Sequence, residues 1–367
     1  MKTFGASSKT LMPAMLGLLF LCCVDSWGQS SPAAATSPVT NAPSTQTGST
    51  SSPAPSPQDW NVLKLPGSLK YPDAMPPVMS NLPDFTRELV QLTSRPGDII
   101  DLYVMKPKDV KNPPVILYLY SFPTDTDRFK ADDFGKLATR NGFAAVGFVS
   151  ALTGHRFHDR PMKEWFVSEL HESLVTSVHD VQLILNYLDK RNEFDMTRVG
   201  MFGEGSGASI AIMAASVDPR IKVVDLFDAW GDWPDWIAHS TLILQEDERA
   251  QYMKPEFLKN VEGLDPVEYL PELKAPRVRI EYLDTDTVTP APARERLEAA
   301  APPNSTVVDY AKPADFLQKE GRNGKMLDWL KEQLVPALAA KGTGAGNTAP
   351  QPAPAPQPAT AGQASPH

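Results

Sequence analysis

The sequence predicts an α/β protein built on a mostly parallel sheet with helices on both faces. Val115-Ile116-Leu117-Tyr118-Leu119-Tyr120 is a continuous apolar run, the pattern of a strand buried on both faces. Leu174, Val178, Val181, Leu185 and Leu188 recur at helical spacing, with Glu169, Glu172 and Asp180 on the opposite side. Strand-like and helix-like segments then alternate along the chain, which makes the helices crossovers between parallel strands.

Taken in order, Phe85 to Leu92 and Ile99 to Met105 flank Ser94-Arg95-Pro96-Gly97-Asp98 and read as an N-terminal hairpin. The apolar strand at Val115 follows, then a helix over Ala131 to Asn141 stopped by Gly142, then a strand over Ala144 to Val149. Leu170 to Leu188 is the crossover helix. Val199-Gly200-Met201-Phe202 is a short strand running into a helix over Ser206 to Ala215. Ile221 to Phe227, Val278 to Tyr282 and Thr306 to Tyr310 supply three more strands, and Lys325 to Leu338 closes the fold as an amphipathic helix. Between Trp233 and Leu273 helical pieces interrupt the alternation. They form a small cap insertion, expected to cover the carboxyl edge of the sheet, where ligands bind in such folds.

The flanks have a different composition. Lys2 and Lys9, an apolar run from Leu11 to Val24 and the small residues Ser26 and Gly28 read as a signal peptide over residues 1–28. That run is shorter than the ~20 apolar residues of a membrane span. The mature chain is therefore expected to be secreted or periplasmic, with no stable membrane anchor. Both cysteines, Cys22 and Cys23, leave with the signal peptide, so disulfide and thiolate chemistry are excluded from residues 29–367. Residues 29–57 are rich in Ser, Pro, Ala and Thr and read as a disordered linker, unable to bury enough surface to offset its ordering entropy. Residues 342–367 repeat that composition as a disordered tail whose Pro-Gln-Pro-Ala-Pro-Ala-Pro run favours polyproline II. The folded domain is expected over residues 58–341. The formal charge of −9 becomes −10 without Lys2, Lys9 and Asp25, and no basic cluster exists to meet phosphates, which excludes nucleic acid as a partner.

Arg198-Val199-Gly200-Met201-Phe202-Gly203-Glu204-Gly205-Ser206-Gly207 carries the most specific motif. This strand–turn–helix resembles the nucleophile elbow of the α/β-hydrolase superfamily, especially its dienelactone-hydrolase-like and prolyl-oligopeptidase-like branches. The resemblance runs from about Phe85 to Leu338. It implies a Gly-x-Nuc-x-Gly turn in which the third residue attacks the substrate. Gly203 and Gly207 take the outer places, where lack of a side chain permits tight packing. Gly205 takes the nucleophile's place and has nothing to attack with. Ser206 follows, where the resemblance implies an oxyanion-hole N–H and residue chemistry gives a first-turn helix serine. Asp286-Thr287-Val288-Thr289-Pro290 resembles the turn holding the triad aspartate; Asp284 is an alternative, and either also reads as a turn former. The family's histidine is missing. In the loop Ala311-Lys312-Pro313-Ala314-Asp315-Phe316 its place falls to Asp315, and no histidine lies between His239 and His367. Without imidazole there is no base poised near neutral pH to activate a hydroxyl. Tyr120-Ser121-Phe122-Pro123 stands where relatives often show His-Gly on the oxyanion side.

Other clusters give weaker signals. Gly154-His155-Arg156-Phe157-His158-Asp159-Arg160 lacks a third or fourth ligand at diagnostic spacing, and neither a metal nor a cofactor is expected. His171 and His179 lie on the crossover helix and read as structural. Asp225, Asp228 and Asp232 end or follow a strand where some hydrolases carry their acid, and Trp230, Trp233 and Trp236 read as packing for the cap. Gly203-x-Gly205-x-x-Ala208 with Asp225 also meets a dinucleotide fingerprint, though on a late strand where a dinucleotide domain uses its first. The leading expectation is an exported pseudo-enzyme. It would bind a small, anionic ligand at the helix N-terminus through Gly205, Ser206 and Gly207, helped by Arg156 and Arg160. The competing expectation is an esterase- or peptidase-like hydrolase with Ser206 as relocated nucleophile, His155 or His158 as base and Asp286 as acid.

Overall fold

The computed structural model describes residues 58–122, 126–153, 156, 166–321 and 324–335. Residues 335–367 form a separate unit, of which Val335 is described. The expected signal peptide, linker and tail lie outside the described residues, as do Gly154, His155, His158 and Arg160.

Among the described residues, ten strands form one sheet. They are β1 (Asp73–Ala74), β2 (Val78–Asn81), β3 (Phe85–Arg95), β4 (Asp98–Pro107), β5 (Pro114–Leu119), β6 (Ala144–Phe148), β7 (Asp195–Glu204), β8 (Ile221–Phe227), β9 (Arg277–Leu283) and β10 (Thr306–Tyr310). Their order is β1-β3-β4-β6-β5-β7-β8-β9-β10, with β2 also paired to β3. β3 and β4 are the expected antiparallel hairpin, turning at Gly97 with φ +69°. From β6 to β10 every pairing is parallel. β6 lies on one side of β5 and β7 on the other, so the chain reverses direction across the sheet at β5. The carboxyl edge beside that reversal is the usual ligand position in such sheets; here the segments leaving β5 and β7 meet, the Phe122 amide donating to Ser206 Oγ at 2.9 Å.

Strand pleat divides the core into two. Val115, Leu117 and Leu119 of β5 enter one apolar cluster, and Ile116 and Tyr118 enter the other. Ile100, Leu102 and Val104 against Tyr103 and Met105 repeat the alternation on β4. The period-2 alternation of strand side chains produces both faces from one continuous apolar run. The first cluster takes helices Leu170–Arg191 and Ser206–Val217, and the second takes Phe129, Ala138, Phe316, Met326, Leu327, Leu330 and Leu334 from helices near the sheet's other face.

The helices, in chain order, are α1 (Trp60–Leu63), α2 (Asp127–Lys130), α3 (Asp132–Thr139), α4 (Leu170–Arg191), α5 (Ser206–Val217), α6 (Trp233–His239), α7 (Glu246–Tyr252), α8 (Pro255–Val261), α9 (Pro266–Tyr269), α10 (Ala291–Ala300), α11 (Pro313–Phe316) and α12 (Lys325–Leu334). The insertion α6–α9 sends Trp233, Trp236, Ile237, Leu264 and Tyr269 into the core on the α4–α5 face. Asp265 holds its turns together, accepting the amides of Asp232, Trp233 and Val267 at 2.8, 2.9 and 3.1 Å. No helix among the described residues is long and apolar enough to cross a membrane.

Candidate functional site

β7 runs extended to Glu204, and Gly205 then turns the chain into α5 with φ +53° and ψ −117°. This is a sharp strand-to-helix corner in a region that side chains with a Cβ rarely adopt. The corner is held on all sides. The Gly205 amide donates to the Phe227 carbonyl at 2.9 Å, and its carbonyl accepts from Ala208 and Ser209 at 3.1 and 3.2 Å. A Cβ on Gly207 would collide with the Leu119 carbonyl, and one on Gly203 would stand 2.5 Å from the Gly207 carbonyl. Both outer glycines therefore permit the close crossing of β7, β5 and α5, as their motif suggests.

The place of a nucleophile is occupied by neighbours. A Cβ built on Gly205 would overlap Ser121 Oγ, lie 2.8 Å from Ser121 Cβ and 3.0 Å from Trp230 Nε1. Ser206 is fully buried as the first residue of α5, and its Oγ accepts the Phe122 amide at 2.9 Å. Phe122 belongs to the segment leaving β5, the side from which the resemblance implies an oxyanion donor. That donor is spent on Ser206. Phe122 stacks on Phe166 at 5.3 Å, Phe166 meets Trp230 edge-on at 6.2 Å, and Trp230 lies 4.7 Å from Trp236. The tryptophans pack the insertion onto the elbow, as their spacing suggests.

Asp286 sits beyond β9, with Oδ1 accepting the Val288 amide at 3.1 Å and Oδ2 the Thr289 amide at 2.9 Å. Burial raises its pKa against these donors. Asp284, in contrast, is exposed and pairs with Arg294 at 3.1 Å. Asp315 lies half-buried in the first turn of α11, its amide donating to the Lys312 carbonyl at 2.9 Å. Of the described histidines, His179 Nε2 bonds the Val62 carbonyl at 2.8 Å, His239 lies against Asp235, and His171 lies in the first turn of α4.

Arg156 is not an anion ligand at this edge. Its guanidinium is buried, with Nε and Nη2 on Asp98 at 2.8 and 2.7 Å and Nη1 on Asp180 at 2.8 Å. Two carboxylates and the Val149 carbonyl consume the fork, so it ties the hairpin to α4 instead. Asp225 likewise leaves the dinucleotide reading without its ribose contact. It is buried mid-strand in a bidentate pair with Arg279 at 2.9 and 2.7 Å.

Two further acids lie at this edge: Glu204, which the motif reading passed over, and Asp228, one of the three aspartates it placed at the end of a strand where some hydrolases carry their acid. Glu204, in the placeholder position before Gly205, is half-buried. Burial raises its pKa to about 7, with Arg128 opposing and Asp286 adding to the rise. Asp228, just past β8, accepts the Leu283 amide on Oδ1 at 2.9 Å and leaves Oδ2 buried without a hydrogen-bond partner among the described residues. Burial, then the charge of Asp286, lifts it well above the carboxylate range. Arg128 lies over the Tyr120 ring at 3.8 Å. Its position could not be read from sequence, because nothing in the Asp127–Lys130 run distinguishes it from a surface arginine.

No family model matches the chain. A Bacillus subtilis (strain 168) protein named "Putative hydrolase YtaP" is 25% identical over 217 residues, covering 53% of this chain and 68% of that protein. Acetyl xylan esterase 1 from Thermoanaerobacterium sp. JW/SL YS485 superposes with a TM-score of 0.52 at 14% identity, over 66% of this chain and 82% of that one. An acetyl xylan esterase from Paenibacillus sp. R4 gives 0.55 at 13% identity, over 71% and 89%. Pyrococcus horikoshii acylaminoacyl peptidase gives 0.50 at 16% identity, over 69% of this chain and 41% of that one. Likeness at these identities is a likeness of fold, and the fold of this chain is of the α/β-hydrolase type.

Proposed function

We propose that this is an exported hydrolase-fold protein that binds a small molecule at the carboxyl edge of its sheet and does not cleave it by a serine mechanism. The observation that carries the reading is the crowding at Gly205. The nucleophile's place lacks a side chain, and Ser121 and Trp230 fill the space one would need. Relocation to Ser206 is disfavoured because its hydroxyl is buried and holds the Phe122 amide. A hydroxyl nucleophile also needs a base within hydrogen-bond reach, and Asp286 is held by its own turn.

The elbow amides and the α5 dipole favour negative charge. Burial holds Asp228 and, up to about pH 7, Glu204 toward their protonated forms, so these acids beside the elbow do not exclude an anion at the same edge. Treatment of residues 29–367 with a fluorophosphonate probe, followed by intact-mass measurement, is expected to give no adduct while a control serine esterase reacts. An adduct that disappears in Ser206→Ala would overturn the reading. Export predicts that the chain expressed in bacteria with its own leader is recovered outside the cytoplasm without residues 1–28; cytoplasmic protein beginning at Met1 would refute that part.

A further inference from the structure

The insertion after β8 encloses a space of its own. A cavity of about 450 Å³ lies among α6, α8, α9 and α10, within the roughly 300–1,000 Å³ of small-molecule sites. Trp233, Pro234, Pro255 and Leu258 give it apolar walls, and none of its lining residues belongs to the Gly205 corner. Asp232, Glu262, Asp265 and Glu268 outnumber Lys259 and Arg296 in the same lining, so its charge is negative.

Asp232 is the group left over. It precedes α6 in a left-handed conformation, with φ +54°, and its amide donates to Asp265 Oδ1 at 2.8 Å. Asp265 is committed to the turns, with amide donors on both of its oxygens. The Asp232 carboxylate has no such donors. The residue is only 8% exposed, caps no amide of α6, and accepts no hydrogen bond from a described residue. Its ion-pair contact among the described residues is Arg296 Nη1 at 3.7 Å. That is too long for a hydrogen bond, and the Arg296 side chain is 56% exposed, so the pair is loose. Burial raises the pKa of Asp232, with Arg296 opposing and Asp235 adding.

A carboxylate shielded from water without donors is costly, and a ligand that supplies donors recovers that cost. An ammonium brings three donors and forms short charge-assisted bonds. The apolar walls favour a hydrocarbon body on the same molecule. No group of three His, Cys, Asp or Glu side chains among the described residues could hold a metal ion. An anion would meet the negative lining.

We propose that this cavity binds a small primary amine in its ammonium form, the head on Asp232 and an aliphatic or aryl body against Trp233, Pro234, Pro255 and Leu258. The site is additional to the elbow and does not depend on what the elbow binds. Calorimetric titration of residues 29–367 with hexylamine and phenethylamine tests it, with hexanol and phenylethyl alcohol as matched neutral ligands. At least one amine should bind about tenfold or more tightly than its alcohol. Asp232→Asn, which keeps the shape and removes the charge, should weaken that amine about tenfold. Arg296→Ala removes the competing cation from an exposed position and should tighten it about two- to fivefold. A role in folding alone would not give the two substitutions opposite signs. Each variant is titrated only after a cooperative thermal transition shows that it is folded, and Arg296→Ala against wild type decides the matter should Asp232→Asn not fold. Absence of binding by both amines at millimolar concentration, equal binding of the alcohols, an Asp232→Asn protein that binds like wild type, or an Arg296→Ala protein that binds no more tightly would each overturn the proposal.

Discussion

Gly205 and Glu204 are neighbours in the chain with opposite lessons. Gly205 stands at φ +53°, and its missing side chain is matched by Ser121 and Trp230. Gly205→Ser therefore adds backbone strain of about 1–3 kcal/mol and overpacks the tip. Urea denaturation should show the variant less stable than wild type by roughly that amount; equal stability would show that the tip has room. This residue was legible in the sequence, because a Gly-x-Nuc-x-Gly frame assigns each position a place. Glu204 was not, because the same frame treats it as a placeholder and its weight comes first from burial, with Arg128 opposing and Asp286 adding, both far off in sequence. Its pKa of about 7 exceeds the ordinary 4.5, so between these values the folded chain keeps a proton that the unfolded chain has released. The contribution of Glu204 is complete below about pH 4.5 and is lost as pH rises through about 7, with a ceiling of roughly 3 kcal/mol. Stability measured from pH 4 to 8 should fall more steeply in wild type than in Glu204→Gln. Parallel curves would refute the assignment.

At the scale of elements, Arg156 joins parts that the sequence keeps apart. Asp98 begins β4 and Asp180 lies in the middle of α4, and the buried guanidinium bonds both. Arg95 adds a further bond to Asp180 at 2.6 Å. Arg156→Met leaves two buried carboxylates short of their main partner and should cost about 3–5 kcal/mol in chemical denaturation; a loss under 1 kcal/mol would show that Arg95 alone suffices. A buried arginine and a surface arginine look alike in a list of residues, which is why Arg156 was legible only as a cation. The main strands and helices were legible because their apolar spacing reports burial directly. β5 reads as six consecutive apolar or proline residues and is buried throughout. β1 and β2 escaped for the opposite reason. They are short and exposed, and pair with β3 through backbone bonds that leave no apolar pattern.

For the whole molecule, the sheet brings to one edge residues that are far apart in sequence. Ser121 and Phe122 leave β5, Glu204 and Gly205 leave β7, Asp228 leaves β8, and Asp286 leaves β9. A serine triad at this edge would likewise draw its members from separate loops, so repair at one loop cannot supply the others. Gly205→Ser adds an oxygen, but Ser121 still fills its space. Asp315→His returns an imidazole to the loop after β10, but Ser206 remains bonded to Phe122 and the tip has no hydroxyl. The paired variant has both groups and still lacks room for the serine to take up an attacking rotamer. All three proteins are expected to hydrolyse p-nitrophenyl acetate no faster than a protein of similar size without a catalytic site. Steady turnover by the pair would mean that the contact with Ser121 relaxes, so that two residues separate this fold from an esterase. Steady turnover by Gly205→Ser alone would mean that a base outside the described residues already reaches the tip.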